Sequence, residues 1–405
     1  MSTVVPFRAL RPTPAAAARV AAVPYDVVNT EEAKVLAGGN PLSFLHVSRA
    51  EIDLPPGTNP YSDAVYARAA DNFAELKSRA PMAFEAEPSL YVYRLEMGGH
   101  VQTGVAGCFS LDEYDRDIIR KHERTRRDKE DDRTRHIMEL QAQTGPVFLT
   151  YPVSPRIDEV VDQATSAPAM MDFVAEDGIR HTMWRVPTDL TPRLVGAFEP
   201  IPALYIADGH HRAASAARVR DRLRSNGGTG EWDTFLAVAF PDNQMNVLPY
   251  NRVVRDLGTH NEGSLLTALR QQFEVSEGPA SPVRPGHVSM YLAGRWYTID
   301  LGDALAGLSA DERLDVSRLQ ALVLTPLLGI GDVRSDKRID FVGGARGTRE
   351  LESLVNSGTA AVAFSMYPVR VGDLMRISDA GGIMPPKSTW FEPKLRDGLL
   401  SHVIE

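Results

Sequence analysis

The sequence predicts an α/β protein of the α+β kind, with a mixed-sheet core and additional α/β regions on its N- and C-terminal sides. Three observations carry that expectation. Apolar runs of strand length alternate with stretches of helical periodicity along most of the chain. One alternation is unusually compact: Ala203-Leu204-Tyr205-Ile206-Ala207 passes through Asp208-Gly209-His210-His211-Arg212 into the alanine- and arginine-rich helical pattern of residues 213–224. The composition, 43% hydrophobic and 24% charged over 405 residues, supplies a sizeable core without any signature of disorder.

Taken in order, Pro24-Tyr25-Asp26-Val27-Val28 reads as a strand end or turn, and Asn29-Thr30-Glu31-Glu32 as a helix start with a polar cap and acids in the first turn. Ser43-Phe44-Leu45-His46-Val47, bounded by Asn40-Pro41, reads as a strand. Residues 61–79 have helical periodicity; residues 89–95 form a strand ending near Gly98-Gly99, with residues 101–111 as its hairpin partner. The charged residues 120–136 read as a helix that continues through Leu140 and stops before Gly145-Pro146. Residues 152–190 mix helix and strand, and residues 234–240 form a further strand after Asn226-Gly227-Gly228. A helix over 265–273, a hairpin over 288–301 and a leucine-rich helix over 316–328 follow. This divides the chain into an N-terminal α/β region (1–104), a catalytic core (105–256) and a C-terminal α/β region that completes the site (257–405).

Composition also excludes. The single cysteine, Cys108, leaves no intrachain disulfide and no cysteine zinc cluster; its apolar neighbours make it a buried structural thiol. A net charge of −9 argues against nucleic acid as a partner, since that surface must displace counterions. No stretch approaches the ~20 apolar residues of a membrane span, and no secretory signal opens the chain, so a cytoplasmic protein with small-molecule partners is expected. Gly-x-x-x-x-Gly-Lys-Ser/Thr, His-Glu-x-x-His and Gly-x-Ser-x-Gly are all missing, and Gly329-Ile330-Gly331 leads to Arg334 where a dinucleotide loop needs glycine.

Three segments could carry chemistry. In the first, a helix N-terminus attracts phosphate, Gly209 lets the backbone approach it, and His210, His211 and an exposed Arg212 add donors. Asp208, at the strand end, suits a Mg²⁺ ligand or catalytic carboxylate. In the second, a helix would align His122, Arg126, Lys129 and Arg133 as a basic stripe behind Glu123, a general-base candidate. The bland alternative is a solvated helix laced with ion pairs. The third, Pro386-Lys387-Ser388-Thr389, offers a lysine and two hydroxyls on a proline-stiffened backbone.

Together these segments resemble the ParB/sulfiredoxin-like superfamily in the version carried by free L-serine kinases: the Asp-Gly-His-His-Arg loop, the His122-Glu123 pair upstream, and Pro-Lys-Ser-Thr near the end. The whole chain resembles the bacterial proteins grouped as DUF1015, through Pro24-Tyr25-Asp26-Val27, Ser43-Phe44-Leu45-His46-Val47, the same loop, Arg338-Ile339-Asp340-Phe341-Val342-Gly343-Gly344 and Pro385-Pro386-Lys387-Ser388-Thr389. The resemblance implies phosphorylation of free serine to O-phosphoserine with Mg²⁺ or Mn²⁺ and ATP, ADP or pyrophosphate as donor. It implies Glu123 as base, Asp208 as catalytic and metal-binding carboxylate, and Gly209, His210, His211, Arg212 and Arg126 on the donor. It further implies His122, Lys387, Ser388 and Thr389 on the substrate. Trp390-Phe391 stands where archaeal ADP-dependent enzymes continue with Arg-His, which leaves room for pyrophosphate. The rival reading is a ParB-like nucleotide-binding switch without kinase activity. Sulfiredoxin-like reductase chemistry would need a cysteine in the loop, and Cys108 lies elsewhere.

Overall fold

The computed structural model describes residues 2–79, 82–225, 227–302 and 305–404. It is a mixed α/β fold, and its chain forms two compact units. The first comprises Met1–Lys121, Thr125–Met245 and Pro393–Glu405; the second comprises His122–Arg124 and Asn246–Glu392.

In the first unit, helix α1 (Thr30–Ala37) is started as expected by Asn29. The Asn29 side chain accepts from Glu32 N–H while the Glu32 carboxylate accepts from Asn29 N–H, both at 2.9 Å, so two orphan donors are satisfied reciprocally. The expected strand at 43–47 is instead a short helix, Leu45–Ser48. Ser43, Phe44, Leu45, Val47 and Ser48 are all buried here, which lacks the alternation of a half-buried strand; the five residues 43–47 are too few for periodicity to separate helix from strand. Helix α2 (Asp63–Arg79) follows, then strands β1 (Tyr91–Met97) and β2 (His100–Ser110) as the expected hairpin.

The chain continues through β3 (Ile119–Arg120), α3 (Arg127–Leu140), β4 (Val147–Tyr151), β5 (Met171–Val174), β6 (Arg180–Arg185), β7 (Leu204–Asp208), α4 (His210–Arg224) and β8 (Thr234–Pro241). The large sheet runs β3-β7-β4-β8-β2-β1-β6-β5, with Val4–Val5 added against β2. It is mixed: β8 is parallel to β4 and antiparallel to β2, while β7 is antiparallel to β4 and parallel to β3. Because β2 runs unbroken through residues 104 and 105 and pairs on both sides, the expected boundary there cuts a central strand. The core between this sheet and its helices is built from Val105, Phe109, Leu149, Ile206, Phe235 and their neighbours; Cys108 is buried, as expected, on the opposite face of β2.

The charged helix was also misplaced at its start. Residues 119–120 are strand β3, and Arg126 is the extended residue before α3. Asp128 and Glu130 then sit in the first helical turn, where the helix dipole favours acids. His122 and Arg126 therefore leave the proposed basic stripe. Only Lys129 and Arg133 remain on the helix.

The second unit contains an antiparallel sheet of β9 (Tyr250–Val254), β10 (Glu274–Glu277), β11 (His287–Leu292), β12 (Arg295–Asp300), β13 (Ile339–Gly343) and β14 (Val362–Ser365), in the order β10-β12-β11-β14-β9-β13. The expected hairpin is β11–β12, and the expected helix near 265–273 is α5 (Glu262–Arg270). The leucine-rich helix is shorter than predicted: Asp315–Leu319 is α-helical and Gln320–Leu324 widens into a π turn. Among the described residues no helix is long and apolar enough to cross a membrane.

The last residues return to the first unit. Ser401–Val403 pairs with both Ala9–Pro12 and Ala142–Gln143, and Asp397 exchanges backbone hydrogen bonds with Ala22. Gly398, at φ 82°, makes the turn between them, and a Cβ there would overlap the Phe44 ring. Gly398→Ala should therefore destabilise the protein by about 1–3 kcal/mol, the usual effect of overpacking. It should lower the urea midpoint, and an unchanged midpoint would mean this turn is not rigidly seated.

Candidate functional site

Strand β7 is buried through Ala207 and changes register against β4 between Ile206 and Asp208, an irregularity that re-aims the chain where the sheet ends. Gly209 follows at φ 91°, a conformation costly for any residue with a Cβ, and such a Cβ would lie 3.2 Å from Arg212 Nε. No side chain caps the fifteen-residue helix α4 at Gly209. Its opening turn thus directs backbone N–H groups and partial positive charge at the segment around Asp208. The strand, turn and helix expected here are all present.

Asp208 is held from two sides. Its Oδ1 accepts from Gly209 N–H at 2.8 Å, and its Oδ2 accepts from Lys394 Nζ at 2.9 Å. Burial alone would raise its pKa, but the charges of Lys394 and Arg212 overturn that and hold the carboxyl ionised, far below the usual carboxylate range. His211 Nε2 accepts from Arg126 N–H at 3.0 Å, so the neutral ring carries its proton on Nδ1 and presents a donor there. His210 is buried, whereas the Arg126 side chain is 70% exposed and paired with Asp128 at 2.7 Å.

Arg212 is not the exposed residue its position suggested. Its guanidinium folds back under the loop, donates to the Pro146 carbonyl and lies 3.9 Å from Asp26. Its Nε is buried without a hydrogen-bond partner. Asp397 reaches the same small cavity, whose wall also includes Tyr25, Ser48, Arg133 and His136. The Asp397 side chain occupies the space a Cβ on Gly145 would need, its Oδ1 has no hydrogen-bond partner, and the residue is 3% exposed. Burial, with Asp26 nearby, pushes its pKa up to about 7 against the opposing pull of Arg212 and Arg133.

His122, Glu123, Lys387, Ser388 and Thr389 belong to the second unit. There the His122 carbonyl accepts from Met384 N–H at 2.8 Å, which sets the His-Glu pair beside the segment leading into the proline motif. Lys387 is exposed at φ 58°, with Nζ 5.4 Å from the Tyr250 ring centre, and its carbonyl accepts from Arg252. The Ser388 hydroxyl is spent on the Pro385 carbonyl at 2.6 Å, closing the turn. Loop residues 208–212 and Arg126 lie in the first unit.

Lys394 and Asp397 were missed by sequence reasoning. Both sit in Pro393-Lys394-Leu395-Arg396-Asp397, whose mixed charge reads as solvated surface, yet Lys394 is only 8% exposed. The one available signal was proximity to the Pro-Pro-Lys-Ser-Thr motif.

The raised pKa of Asp397 has a signed consequence. An unfolded aspartate titrates near pH 3.9, so between about pH 4 and about pH 7 the folded chain binds a proton that the unfolded chain has lost. Stability contributed by that proton is lost as pH rises through this window, by at most about 1.4 kcal/mol per pH unit. Asp397→Asn cannot ionise, so its urea-unfolding free energy should fall less steeply from pH 5 to 7 than the wild type's. Parallel slopes would refute the shift.

No curated protein matches the chain. Solved structures similar to it include a free serine kinase in complex with AMP (13% identity, TM-score 0.37, covering 75% of this chain and 91% of that one). A conserved hypothetical protein from Pyrococcus furiosus is similar at 14% identity and TM-score 0.36, over 73% of this chain and 94% of that one. SbnI with a C-terminal truncation, from Staphylococcus aureus, is similar at 11% identity and TM-score 0.38, over 72% and 85%. A family model described as a protein of unknown function, DUF1015, matches residues 4–317, and the chain belongs to that family.

Proposed function

We propose that the protein transfers a phosphoryl group from ATP, ADP or pyrophosphate to the hydroxyl of free L-serine or a similar small hydroxy compound. The observation that carries this reading is the β7–α4 junction: an ionised carboxylate, Asp208, at the uncapped mouth of a long helix that begins with two histidines. Phosphoryl transfer needs positioning and charge neutralisation more than covalent catalysis, and these are what such a junction supplies. Donor phosphates would sit on the N–H groups from Gly209 onward, with His210, His211 and Arg126 around them and the buried Arg212 fixing the loop from beneath.

Among the described residues no three His, Cys, Asp or Glu side chains cluster as a metal cage. A single carboxylate still fits Mg²⁺ or Mn²⁺, because such ions at phosphate sites draw most of their ligands from phosphate and water. Asp208 is the residue that would hold one, and the ion would neutralise charge on the donor. With its pKa held so low, Asp208 is a weak proton acceptor. The motif resemblance assigns the base to Glu123, and substrate contacts to His122, Lys387, Ser388 and Thr389.

The deciding experiment incubates the protein with L-serine, Mg²⁺ and each donor in turn and looks for O-phosphoserine. Formation with at least one donor is expected, and it should cease in EDTA. A donor that binds with no transfer to any hydroxy compound would favour the nucleotide-switch reading. Glu123→Gln keeps shape and hydrogen bonding but cannot take the proton, so turnover should fall roughly 10²–10⁴-fold with donor affinity little changed. A variant of full turnover would remove Glu123 from the chemistry and leave Asp397, whose pKa near neutrality suits a base, as the next candidate.

A further inference from the structure

Next to the small cavity of Arg212 and Asp397 lies a larger one of about 190 Å³ in the same unit, and Tyr25, Ser48, Arg133 and His136 line both. Helix α3 supplies Lys129, Asp132, Arg133 and His136 to its wall, but neither the Asp208–Arg212 loop nor the Pro386–Thr389 segment contributes to it. Its volume falls below the roughly 300–1,000 Å³ of pockets for drug-sized ligands, which suits a molecule of a few heavy atoms.

Two ion pairs face this space, together with Lys129, whose Nζ donates to the Tyr61 hydroxyl at 2.8 Å. Arg49 and Glu51 meet at 3.0 Å, and Arg133 and Asp132 at 2.9 Å. The second pair is tightly positioned: the Tyr66 hydroxyl donates to Asp132 at 2.8 Å, and the Arg133 guanidinium lies over the Tyr25 ring at 4.0 Å. Burial would raise the Asp132 pKa, but Arg133 overcomes this and keeps the carboxylate charged, whereas burial keeps His136 neutral with a pKa of about 3. Two polar atoms in the wall are buried with no hydrogen-bond partner: Ser48 Oγ, on a residue 5% exposed, and Arg49 Nε. Such atoms are costly unless something else completes them.

We propose that this cavity is the acceptor pocket and that it selects a free α-amino acid by its two charges, Arg49 and Arg133 taking the carboxylate and Glu51 and Asp132 the ammonium. The inference rests on the phosphotransferase reading and names the pocket and the ligand class for it. Walls carrying both signs discriminate in a way a single arginine cluster does not. A phosphate gains from Arg49, Lys129 and Arg133 but meets the repulsion of Glu51 and Asp132, while a zwitterion satisfies both signs. Ser48 Oγ and Arg49 Nε would gain their missing partners from the same ligand. The shared wall of Tyr25, Ser48, Arg133 and His136 sets the pocket directly beside the space reached by Arg212 and Asp397.

Calorimetry on the full-length protein tests the pocket without requiring any phosphoryl transfer. L-serine should bind, and ethanolamine, which lacks the carboxylate, and glycerate, which lacks the ammonium, should each bind at least tenfold more weakly. Glu51→Gln should weaken L-serine at least tenfold and Ser48→Ala several-fold, with pyrophosphate binding unchanged in both and melting curves confirming that both fold. Equal affinity for the three ligands, or L-serine binding untouched by both substitutions, would overturn the assignment. The two readings fail separately. L-serine bound in this pattern but never phosphorylated sinks the kinase reading alone; phosphoserine formed with an unaltered KM for serine in both variants sinks the pocket alone.

Discussion

The burial of Arg212 is the constraint on which the rest of the site depends. An isolated buried guanidinium costs several kcal/mol, so the fold must surround it with acceptors. The Pro146 carbonyl accepts from it, and Asp26, Asp208 and Asp397, from three further stretches of the first unit, supply opposite charge around it. Those acids raise the Arg212 pKa against the penalty of burial, and Arg212 in turn helps keep Asp208 charged. Asp397 takes the opposite role. Starved of water and crowded by Asp26, its carboxyl has its pKa pushed up to about 7. Two aspartates beside one arginine thus diverge: Lys394 and Arg212 keep Asp208 charged, while burial and Asp26 leave Asp397 poised to titrate, which is a common way for environment to assign acid and base roles.

Much of this architecture was legible because its signals are local. An apolar run ending in Asp-Gly before an alanine-rich pattern specifies strand, left-handed turn and helix within a dozen residues, and β7, Gly209 and α4 follow that order. The Asn29–Glu32 cap, the β1–β2 and β11–β12 hairpins and α2 were likewise readable from caps, glycine turns and period. The errors were also local in origin. Residues 43–47 form too short a window for period to discriminate, and the charge of residues 120–126 says nothing of the strand pairing that removes Arg120 from the helix.

The site itself was only half legible, because its other half is tertiary. Asp208 and Lys394 are 186 residues apart in sequence and 2.9 Å apart in space. Nothing in Lys394-Leu395-Arg396-Asp397 announces burial, since charged residues are normally exposed and composition weighs them so. The same holds for Ser48, Arg49 and Glu51. They directly follow a stretch read for its apolar residues, and they line the larger cavity.

The pairing of Ser401–Val403 with strands near both residue 10 and residue 142 bears on how the chain acquires its structure during synthesis. The first unit is discontinuous: the segment Asn246–Glu392 is translated before the thirteen residues that finish it. Until these emerge, a nascent first unit lacks the strand between Ala9–Pro12 and Ala142–Gln143, and it lacks Lys394 and Asp397. Arg212 then has fewer carboxylates around it, and Asp208 has no lysine. A nascent chain that has not yet exposed residues 393–403 would therefore hold an open sheet edge, a feature that invites mispairing with other chains, and it would lack the finished charge arrangement around Arg212.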